Sequence, residues 1–422
     1  MESNFEKYTP ERAVLVGLNA DCFTKTQTAT DETLEELEAL LETAGGFCTA
    51  KVLQNRHTPD AHSFIGEGKA IEVKLLAEAT EATMVVFDNE LSPGNIRALE
   101  EMLGVTVLDR SALILDIFAQ RAKTKEGRLQ VELAQYQYLL PRLSGMGKSL
   151  SRQGGGIGTR GPGETKLESD RRHIRERISR LQSELEQVRQ VRAVQRERRM
   201  KNSVPVVAIV GYTNAGKSTL LNQLTGAGIP ANNRLFDTLD TTSRQLRVSD
   251  NLDVVLSDTV GFIAKLPHHL VDAFRATLEE LEYADLLLHV IDSSDPNREE
   301  HIQVVDSLVA KLAKPGTKVL RCYNKADLVS RENIPIGEDV VRISAARGEG
   351  MDILLKAIED ALGHSRHHVV VTLPYSMGGM VDTLHSSAQV LSVEYTGEGI
   401  VAEVILDPIL YGRLQEYITK EC

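Results

Sequence analysis

The sequence predicts an α/β protein of four parts: a small parallel α/β domain, a long antiparallel helical hairpin, a P-loop α/β domain and a small α+β domain. Short β runs alternate with helical patterns at the start of the chain, which is typical of a parallel sheet covered by helices. Two later segments repeat apolar residues about every 3.5 positions. A β-branched run then ends in Gly-x-x-x-x-Gly-Lys-Ser and continues as a helix. We set the four parts at residues 1–122, 123–201, 202–364 and 365–422.

Composition indicates an ordinary globular protein and excludes several classes. The chain has 422 residues, 42% apolar and 26% charged, which is enough for several packed domains. No run approaches the roughly 18 apolar residues of a membrane span, and the N-terminus lacks the apolar core of a signal peptide. The four cysteines are scattered without a Cys-x-x-Cys pair, which argues against a zinc site or a disulfide framework. We therefore expect a cytoplasmic protein.

The first part alternates four β runs with four helical patterns. The β runs are residues 14–18, 50–53, 84–88 and 105–108, and the helices are 31–43, 69–79, one that Ser92 and Pro93 begin, and 111–122. The run from Phe64 to Lys69 is rich in glycine, but it matches only half of a nucleotide fingerprint, so a plain turn is the simpler interpretation. The sequence leaves open whether this part binds a second nucleotide such as ATP.

The second part predicts two helices that pair lengthwise. Apolar residues follow a 4-3-4-3 spacing in both segments, at Leu129, Leu133, Tyr136, Leu140 and Leu143, and at Ile174, Ile178, Leu181, Leu185 and Val188. This spacing is the period of a coiled-coil seam. One loop joins the two segments, so they fold back most simply as an antiparallel hairpin. The longer arm would extend on the order of 50 Å and project from the protein.

The loop that joins the two arms is basic. Residues 145–163 carry Lys148, Arg152 and Arg160 and no acidic residue. From Thr159 to Lys201 there are 13 Lys and Arg against 7 Asp and Glu, on a chain whose net charge is −12. A basic tip on a projecting hairpin suits contacts with the phosphates of structured RNA. A solvated hairpin with a flexible linker is compatible with the same residues.

The Gly-x-x-x-x-Gly-Lys-Ser run predicts a phosphate cradle. Gly211 and Gly216 let backbone N–H groups turn inward, and the N-terminus of the following helix favours negative charge. Lys217 would reach the β- and γ-phosphates, and the Ser218 hydroxyl would bind Mg²⁺. The residues assigned to nucleotide contact here are Gly211, Tyr212, Thr213, Asn214, Ala215, Gly216, Lys217, Ser218 and Thr219.

Three more motifs follow at the ends of predicted strands. Asp258 would hold Mg²⁺ or its waters, and the backbone N–H of Gly261 would reach the γ-phosphate. The carboxylate of Asp327, in the run Asn324-Lys325-Ala326-Asp327, would accept from guanine N1–H and the exocyclic amine, which adenine cannot match. The run Ser344-Ala345-Ala346 would close over the base through backbone N–H groups. Each motif is weak alone, but in this order and context they predict a GTP site.

These motifs resemble those of the translation-factor-related GTPases, and more narrowly the HflX family. Outside the P-loop GTPase domain, the resemblance includes residues 113–122, 129–135 and 155–165. Members of that family are ribosome-associated GTPases that bind the large subunit and can split stalled or stressed ribosomes. The resemblance implies GTP as substrate, Mg²⁺ as cofactor, and the large ribosomal subunit and its RNA as partners. It implies a monomer.

The resemblance also implies roles for the two switch segments. Residues 236–242 are similar to the first switch of the family, so Phe236 is assigned to the nucleotide site. Thr238 is assigned to Mg²⁺ and the γ-phosphate, and together with Lys217 and Gly261 it forms the predicted catalytic set. Thr241 and Thr242 are nearby alternatives to Thr238. Many members of the family have Pro where Thr241 stands, so the choice among the three threonines stays open.

Phe262 stands where small signalling GTPases carry the glutamine that orients water. A phenyl ring cannot hydrogen-bond to water, so the role falls to ribosomal RNA or an ordered switch, and unassisted turnover should be slow.

The last part predicts a strand at 368–373, a helix at 380–389, a hairpin of strands 390–394 and 400–406, and a closing helix at 408–418.

The sequence as a whole favours a GTP-hydrolysing factor that binds the large subunit and splits or rescues stalled ribosomes. Two alternatives stay open: a nucleotide-gated switch that docks on a protein partner, and a role in subunit assembly. Binding to RNA should weaken steeply with salt, whereas docking on a protein need not.

Overall fold

The computed structural model describes the chain in segments, which form two compact units. The described residues are 10–24, 27–143, 162–201, 204–226, 228, 235–236, 242–249, 252–259, 261–265, 281–363, 367–397, 399–406 and 408–421. The first unit consists of Met1–Arg189, Asn232–Asp240 and Val260–Thr277, and the second of Gln190–Ala231, Thr241–Thr259 and Leu278–Cys422. Within the described segments, no helix has the length and apolar character to cross a membrane.

The N-terminal sheet of the first unit is parallel, as the βα alternation predicts. Its strands are β1 (Arg12–Ala20), β2 (Phe47–Arg56), β3 (Met84–Phe87) and β4 (Thr106–Asp109), in the order β2-β1-β3-β4. The helices are α1 (Asp31–Ala44), α2 (Glu67–Ala79), α3 (Pro93–Leu103) and α4 (Arg110–Arg121). Ser92 caps α3 by accepting a hydrogen bond from the Asn95 backbone N–H, and Pro93 is the first helical residue, which confirms the predicted start.

The glycine-rich run before α2 is a tight turn. Asp60 accepts backbone hydrogen bonds from His62 and Ser63, and Phe64 has a φ of +64°. The Gly66 N–H donates to the Gln54 side chain at 3.0 Å, and α2 begins at the next residue. The simpler of the two interpretations of this run therefore describes its conformation.

The two helices of the predicted hairpin are α5 (Lys125–Arg142) and α6 (Pro162–Lys201). Their contact confirms the predicted seam, because the apolar cluster contains Leu129, Leu133, Tyr136, Ile178, Leu181 and Leu185. An ion pair of 2.7 Å between Arg177 and Glu132 joins the two helices beside the cluster. At 40 residues, α6 is about 60 Å long. The tip residues Lys148, Arg152 and Arg160 lie outside the described residues.

A buried ion cluster follows strand β3. Asp88 accepts from Lys265 Nζ on one carboxylate oxygen and from Arg110 Nη1, at 2.8 Å, on the other. Arg110 Nη2 also contacts Glu36 and donates to the backbone oxygen of Ala264 at 3.1 Å. The Asp88 side chain is fully buried and that of Arg110 is 2% exposed. Burial lowers the pKa of Lys265, while the negative charge of Asp88 works in the opposite direction.

Residues of both predicted switch segments pack within the first unit. The ring of Phe236 meets that of Phe118 edge-on, with 4.7 Å between centroids. The Leu235 N–H donates to the Thr43 hydroxyl at 3.3 Å. Phe262 is fully buried. The described parts of these segments are therefore held by side chains of the N-terminal domain.

The main sheet of the second unit has six strands. They are β5 (Val206–Gly211), β6 (Thr242–Ser249), β7 (Leu252–Asp258), β8 (Leu286–Asp292), β9 (Lys318–Asn324) and β10 (Val340–Arg342). The order is β10-β9-β8-β5-β7-β6, and only β6 runs antiparallel to its neighbour. The helices that accompany this sheet are α7 (Lys217–Thr225), α8 (Arg298–Leu312) and α9 (Met351–Gly363). Strand β6 was not predicted, because Leu246 is its one buried residue and the others are polar or half-buried.

The C-terminal part forms a second sheet. Its strands are β11 (His367–Leu373), β12 (Gln389–Thr396), β13 (Gly399–Leu406) and β14 (Ile418–Glu421), in the order β12-β13-β11-β14, with helices α10 (Gly378–Ser387) and α11 (Pro408–Leu414). The predicted closing helix 408–418 is wrong at its end. It stops at Leu414, and β14 pairs antiparallel with β11. The β-branched Ile418 and Thr419 fit a strand, and the edge of β11 offers them backbone partners.

We predict that Asp88→Asn destabilises the first unit by about 3 kcal/mol, because removing one charge from a buried ion cluster leaves the others uncompensated. Hydrogen exchange of the β1 and β3 amides measures this loss. Glu81→Gln is the control, since Glu81 is exposed and pairs with Arg12 at 3.3 Å. Its effect should stay below about 1 kcal/mol. Equal protection in the two variants would contradict a stabilising role for the cluster.

Candidate nucleotide-binding site

Two glycines define the loop between β5 and α7. Gly211 has a φ of +156°, and a Cβ there would lie 2.3 Å from the backbone oxygen of Val290. Gly216 has a φ of +96°, and a Cβ there would lie 2.2 Å from Asn324 Nδ2. Any side chain at either position would force backbone or a buried amide to move. The loop can therefore keep this close approach only with glycine at both ends.

Lys217, the first residue of α7, folds back over this loop. Its Nζ donates to the backbone oxygens of Gly211 at 3.1 Å and Tyr212 at 2.7 Å. The side chain is buried, which lowers the pKa of Lys217 to about 8, although the negative charge of Asp258 works in the opposite direction. A buried ammonium enclosed by a loop of backbone is placed to meet an anion that enters the loop.

Two oxygen donors lie side by side next to the loop. The Ser218 hydroxyl donates to Asp258 Oδ2 at 3.0 Å, and Asp258 is the buried last residue of β7. The hydroxyl and carboxylate oxygens that Mg²⁺ prefers are thus already adjacent, so these residues fit that ion. In the same loop, the Thr213 hydroxyl is buried and has no hydrogen-bond partner among the described residues.

Asn324, at the end of β9, ties two loops together. Its Nδ2 donates to the backbone oxygen of Ala215 at 2.8 Å, and its Oδ1 accepts from the Ala345 N–H at 2.9 Å. The next residue, Lys325, has a φ of +56° and makes an ion pair of 2.5 Å with Asp292. The loop between β5 and α7 and the loop after β10 are therefore fixed relative to each other by one side chain.

The Asp327 carboxylate stays ionised. The nearby Ser344 hydroxyl and the Arg347 guanidinium hold the pKa of Asp327 below its ordinary value. Arg347 Nε lies 3.1 Å from Asp327 Oδ2. An ionised carboxylate only accepts hydrogen bonds, so this group can select a ligand that offers a pair of donors.

Most of the predicted site residues meet at the carboxyl edge of the main sheet, within the second unit. This set comprises residues 211–219, Asp258, Asn324, Lys325, Asp327 and the run Ser344-Ala345-Ala346. Phe236 and Gly261 belong to the first unit, and the Phe236 ring contacts Phe118 there. Thr238 and Thr241 lie outside the described residues, and Thr242 starts β6 opposite Asp258.

Three residues of this region were not singled out from the sequence. Asp292 ends strand β8, whose run of apolar residues before it is readable in the sequence, so its place at a strand end was a usable signal for its pair with Lys325. Arg347 and His301 carry no such signal. Arg347 meets Asp327 only through the turn after β10, and the His301 ring stacks on Tyr212 from helix α8.

Three protein-family models match the chain in succession. Residues 31–119 match a model described as GTP-binding GTPase N-terminal, and residues 121–199 match GTP-binding GTPase Middle Region. Residues 206–325 match a model described as 50S ribosome-binding GTPase.

Individual relatives match over nearly the whole chain. GTPase HflX of Caldanaerobacter subterraneus subsp. tengcongensis is 47% identical over 97% of this chain and 94% of its own length. GTPase HflX of Escherichia coli is 42% identical over 97% of this chain and 96% of its own. A crystal structure of a GTP-binding protein from Sulfolobus solfataricus in complex with GDP is 27% identical, covers 83% of this chain and 98% of that one, and has a TM-score of 0.43. By the identity to the two HflX proteins over nearly their whole length, the chain belongs to the HflX family of GTPases, enzymes that hydrolyse GTP.

Proposed function

We propose that this GTPase binds the large ribosomal subunit in its GTP form and splits or rescues stalled ribosomes, with the hairpin tip acting on ribosomal RNA. One observation carries the proposal: a GTPase domain shares its chain with a paired helical arm whose longer helix has 40 residues. A helix of about 60 Å serves reach rather than core packing. The connection between its two helices holds Lys148, Arg152 and Arg160 and no acid.

In this proposal, four side chains handle the phosphates. Lys217 gives up at least one of its backbone acceptors and brings its positive charge to the β- and γ-phosphates. Ser218 and Asp258, whose oxygens lie 3.0 Å apart, would hold Mg²⁺. Thr238 of the first switch is the third ligand that the family resemblance implies. When bound, Mg²⁺ neutralises charge that develops on the phosphate oxygens. Turnover then depends on positioning rather than on a protein base.

The water that attacks the γ-phosphate has to be oriented by a group other than the side chain of Phe262. Phe262 is fully buried and offers no hydrogen bond. Ribosomal RNA or a rearranged switch therefore orients the water, and the protein alone turns over slowly. Such a requirement links hydrolysis to the presence of the partner.

The first prediction tests the tip. We expect that replacing Gly147–Pro162 by a short neutral turn abolishes ribosome splitting, followed by light scattering at fixed salt, because the basic loop no longer reaches RNA phosphates. Unassisted GTP turnover should change little.

A matched control neutralises three exposed cations elsewhere, Lys311, Arg331 and Lys356, by changing each to Gln. This control should split ribosomes normally, although it removes the same number of positive charges as neutralising Lys148, Arg152 and Arg160. Normal splitting by the tipless variant would refute the RNA role of the tip. Binding to purified subunits that does not weaken with salt would favour a protein partner instead.

The second prediction concerns the base. Asp327→Asn should exchange preference for guanine for preference for xanthine, because an amide can donate to the 2-oxo group of xanthine where the carboxylate accepted from the guanine amine. Competition between GTP and xanthosine triphosphate measures the change. Glu349→Gln, a change at an exposed carboxylate 3.9 Å from Arg347, should leave the preference for GTP intact. A variant Asp327→Asn that still prefers GTP would remove Asp327 from base recognition.

The third prediction concerns the protonation of Lys217 when nucleotide binds. Because the pKa of Lys217 is about 8 without nucleotide, the side chain is half charged at pH 8. Bound phosphate favours the ammonium and raises that pKa, so GDP binding at pH 8 should take up about half a proton. Affinity should be constant below pH 8 and fall as the pH rises above it. Calorimetry in two buffers of different ionisation heat measures the uptake, and Lys217→Met should lose it. Binding without proton uptake at pH 8 would contradict the assignment.

A further inference from the structure

The outer side of the phosphate loop carries a ring stack that the reaction described above does not use. The rings of Tyr212 and His301 lie nearly parallel, 9° apart, with 3.6 Å between centroids. Tyr212 is the second residue of the loop, and His301 lies in the first turns of α8. Tyr212 is only 8% exposed, so its ring is covered almost entirely by His301 and by the residues around it.

His301 is held in place by its own helix and by Asp295. Its backbone N–H donates to Asn297 at 3.1 Å, in the first turn of α8. Its Nδ1 lies 3.3 Å from Asp295 Oδ2, and hydrogen bonding by His301 lowers the pKa of Asp295. Asp295 also accepts from the Asn297 N–H at 2.8 Å. The imidazole is therefore fixed at both its backbone and its ring before any ligand enters.

A recess lies beside the stack. The recess beside it is lined by Tyr212, Thr213, His289, Asp292, Arg298 and His301, among others. Two charged groups in this lining have partners nearby: Asp292 pairs with Lys325, and Arg298 Nη1 donates to the Ser293 oxygen at 3.4 Å. The Thr213 hydroxyl has no hydrogen-bond partner among the described residues. The stack is thus bordered by charged side chains that other residues already hold in place.

The same residue, Tyr212, connects this support to the reacting end of the site. Its backbone oxygen accepts the ammonium of Lys217 at 2.7 Å, while its ring stacks on His301. The stack does not depend on the Lys217 contact, so it can persist if Lys217 turns toward phosphates. The Tyr212 oxygen also accepts from the Ala215 N–H at 3.3 Å, within the loop, whereas the stack joins the loop to helix α8.

We propose that His301 is a positioning residue for the phosphate loop, acting through the ring of Tyr212. It touches neither nucleotide nor Mg²⁺ in this proposal. It aligns the loop N–H groups and the carbonyl that releases Lys217, so that less free energy is spent on ordering the loop when phosphates bind. This inference rests on the family's GTPase reaction and is independent of any ribosomal role.

The test is a set of three variants assayed without ribosomes: His301→Ala, His301→Phe and the control Gln303→Ala, which changes an exposed residue of the same helix. The measurements are kcat and KM for GTP, the affinity for GDP, and the ratio of the affinities for GDP and inosine diphosphate. A stacked pair contributes roughly 0.5–1.5 kcal/mol, which at about 1.36 kcal/mol per decade corresponds to a 2- to 12-fold change.

We expect His301→Ala to lower kcat/KM and GDP affinity by about 3- to 10-fold. The ratio of GDP to inosine diphosphate affinity should not change, because Asn324 and Asp327 are untouched. His301→Phe should recover most of the loss, since it keeps a flat ring on Tyr212, and Gln303→Ala should match the parent protein.

Three results would overturn the proposal. Normal kcat/KM and GDP affinity in His301→Ala would show that the stack does not position the loop. Equal losses in His301→Ala and His301→Phe would show that the ring contact is not what matters. A fall in base selectivity together with affinity would indicate general damage to the domain. None of these outcomes bears on ribosome splitting, so this proposal and the proposed function can fail separately.

Discussion

The carboxamide of Asn324 is the constraint on which the nucleotide site depends. One side chain at the end of β9 donates to the loop before α7 and accepts from the loop after β10, at 2.8 and 2.9 Å. It is 3% exposed, so losing either partner would leave a buried polar atom unsatisfied, at a cost of about 1–3 kcal/mol. Its Nδ2 also occupies the space that a Cβ on Gly216 would need. A side chain at position 216 would therefore displace the Asn324 carboxamide from its two hydrogen bonds.

The parallel sheet explains why a few short side chains are enough to build the nucleotide site. Strands β5, β8 and β9 run in the same direction, so the loops that leave their carboxyl ends meet at one edge. Backbone at the end of β5, the Asp292 carboxylate at the end of β8 and the Asn324 amide at the end of β9 then need only short side chains to reach one another. The strands supply the placement, and the side chains supply the chemistry.

Sequence reasoning succeeded where local residues determine both backbone and chemistry. The two glycines, Lys217 and the strand-end residues Asp258 and Asn324 could be predicted because each stands at a fixed place relative to a strong β run. Contacts between loops could not, because they depend on how distant segments come together. The pair of Asp327 with Arg347 and the stack of Tyr212 on His301 are of this second kind.

The same distinction holds for the fold. The hairpin seam was predictable because its apolar repeat is long, and its cluster contains six of the ten predicted residues. The edge strands β6 and β14 were missed for opposite reasons. Strand β6 has a single buried residue, Leu246, among mostly polar ones. Strand β14 is four residues long and follows a helix, so its pairing with β11 decides its conformation.

The ion cluster that contacts Ala264 and Lys265 sets an energetic threshold for moving residues 261–265. A ligand that draws this segment elsewhere has to take Lys265 from Asp88 and the Ala264 oxygen from Arg110. Separating a buried pair costs about 3–5 kcal/mol, while inverting a two-state population from 1:99 to 99:1 takes about 5.5 kcal/mol. These energies are similar in size, so a weakly discriminating ligand would leave the segment where it is. The cluster therefore sets a minimum: a ligand that moves this segment has to supply contacts that recover most of that cost.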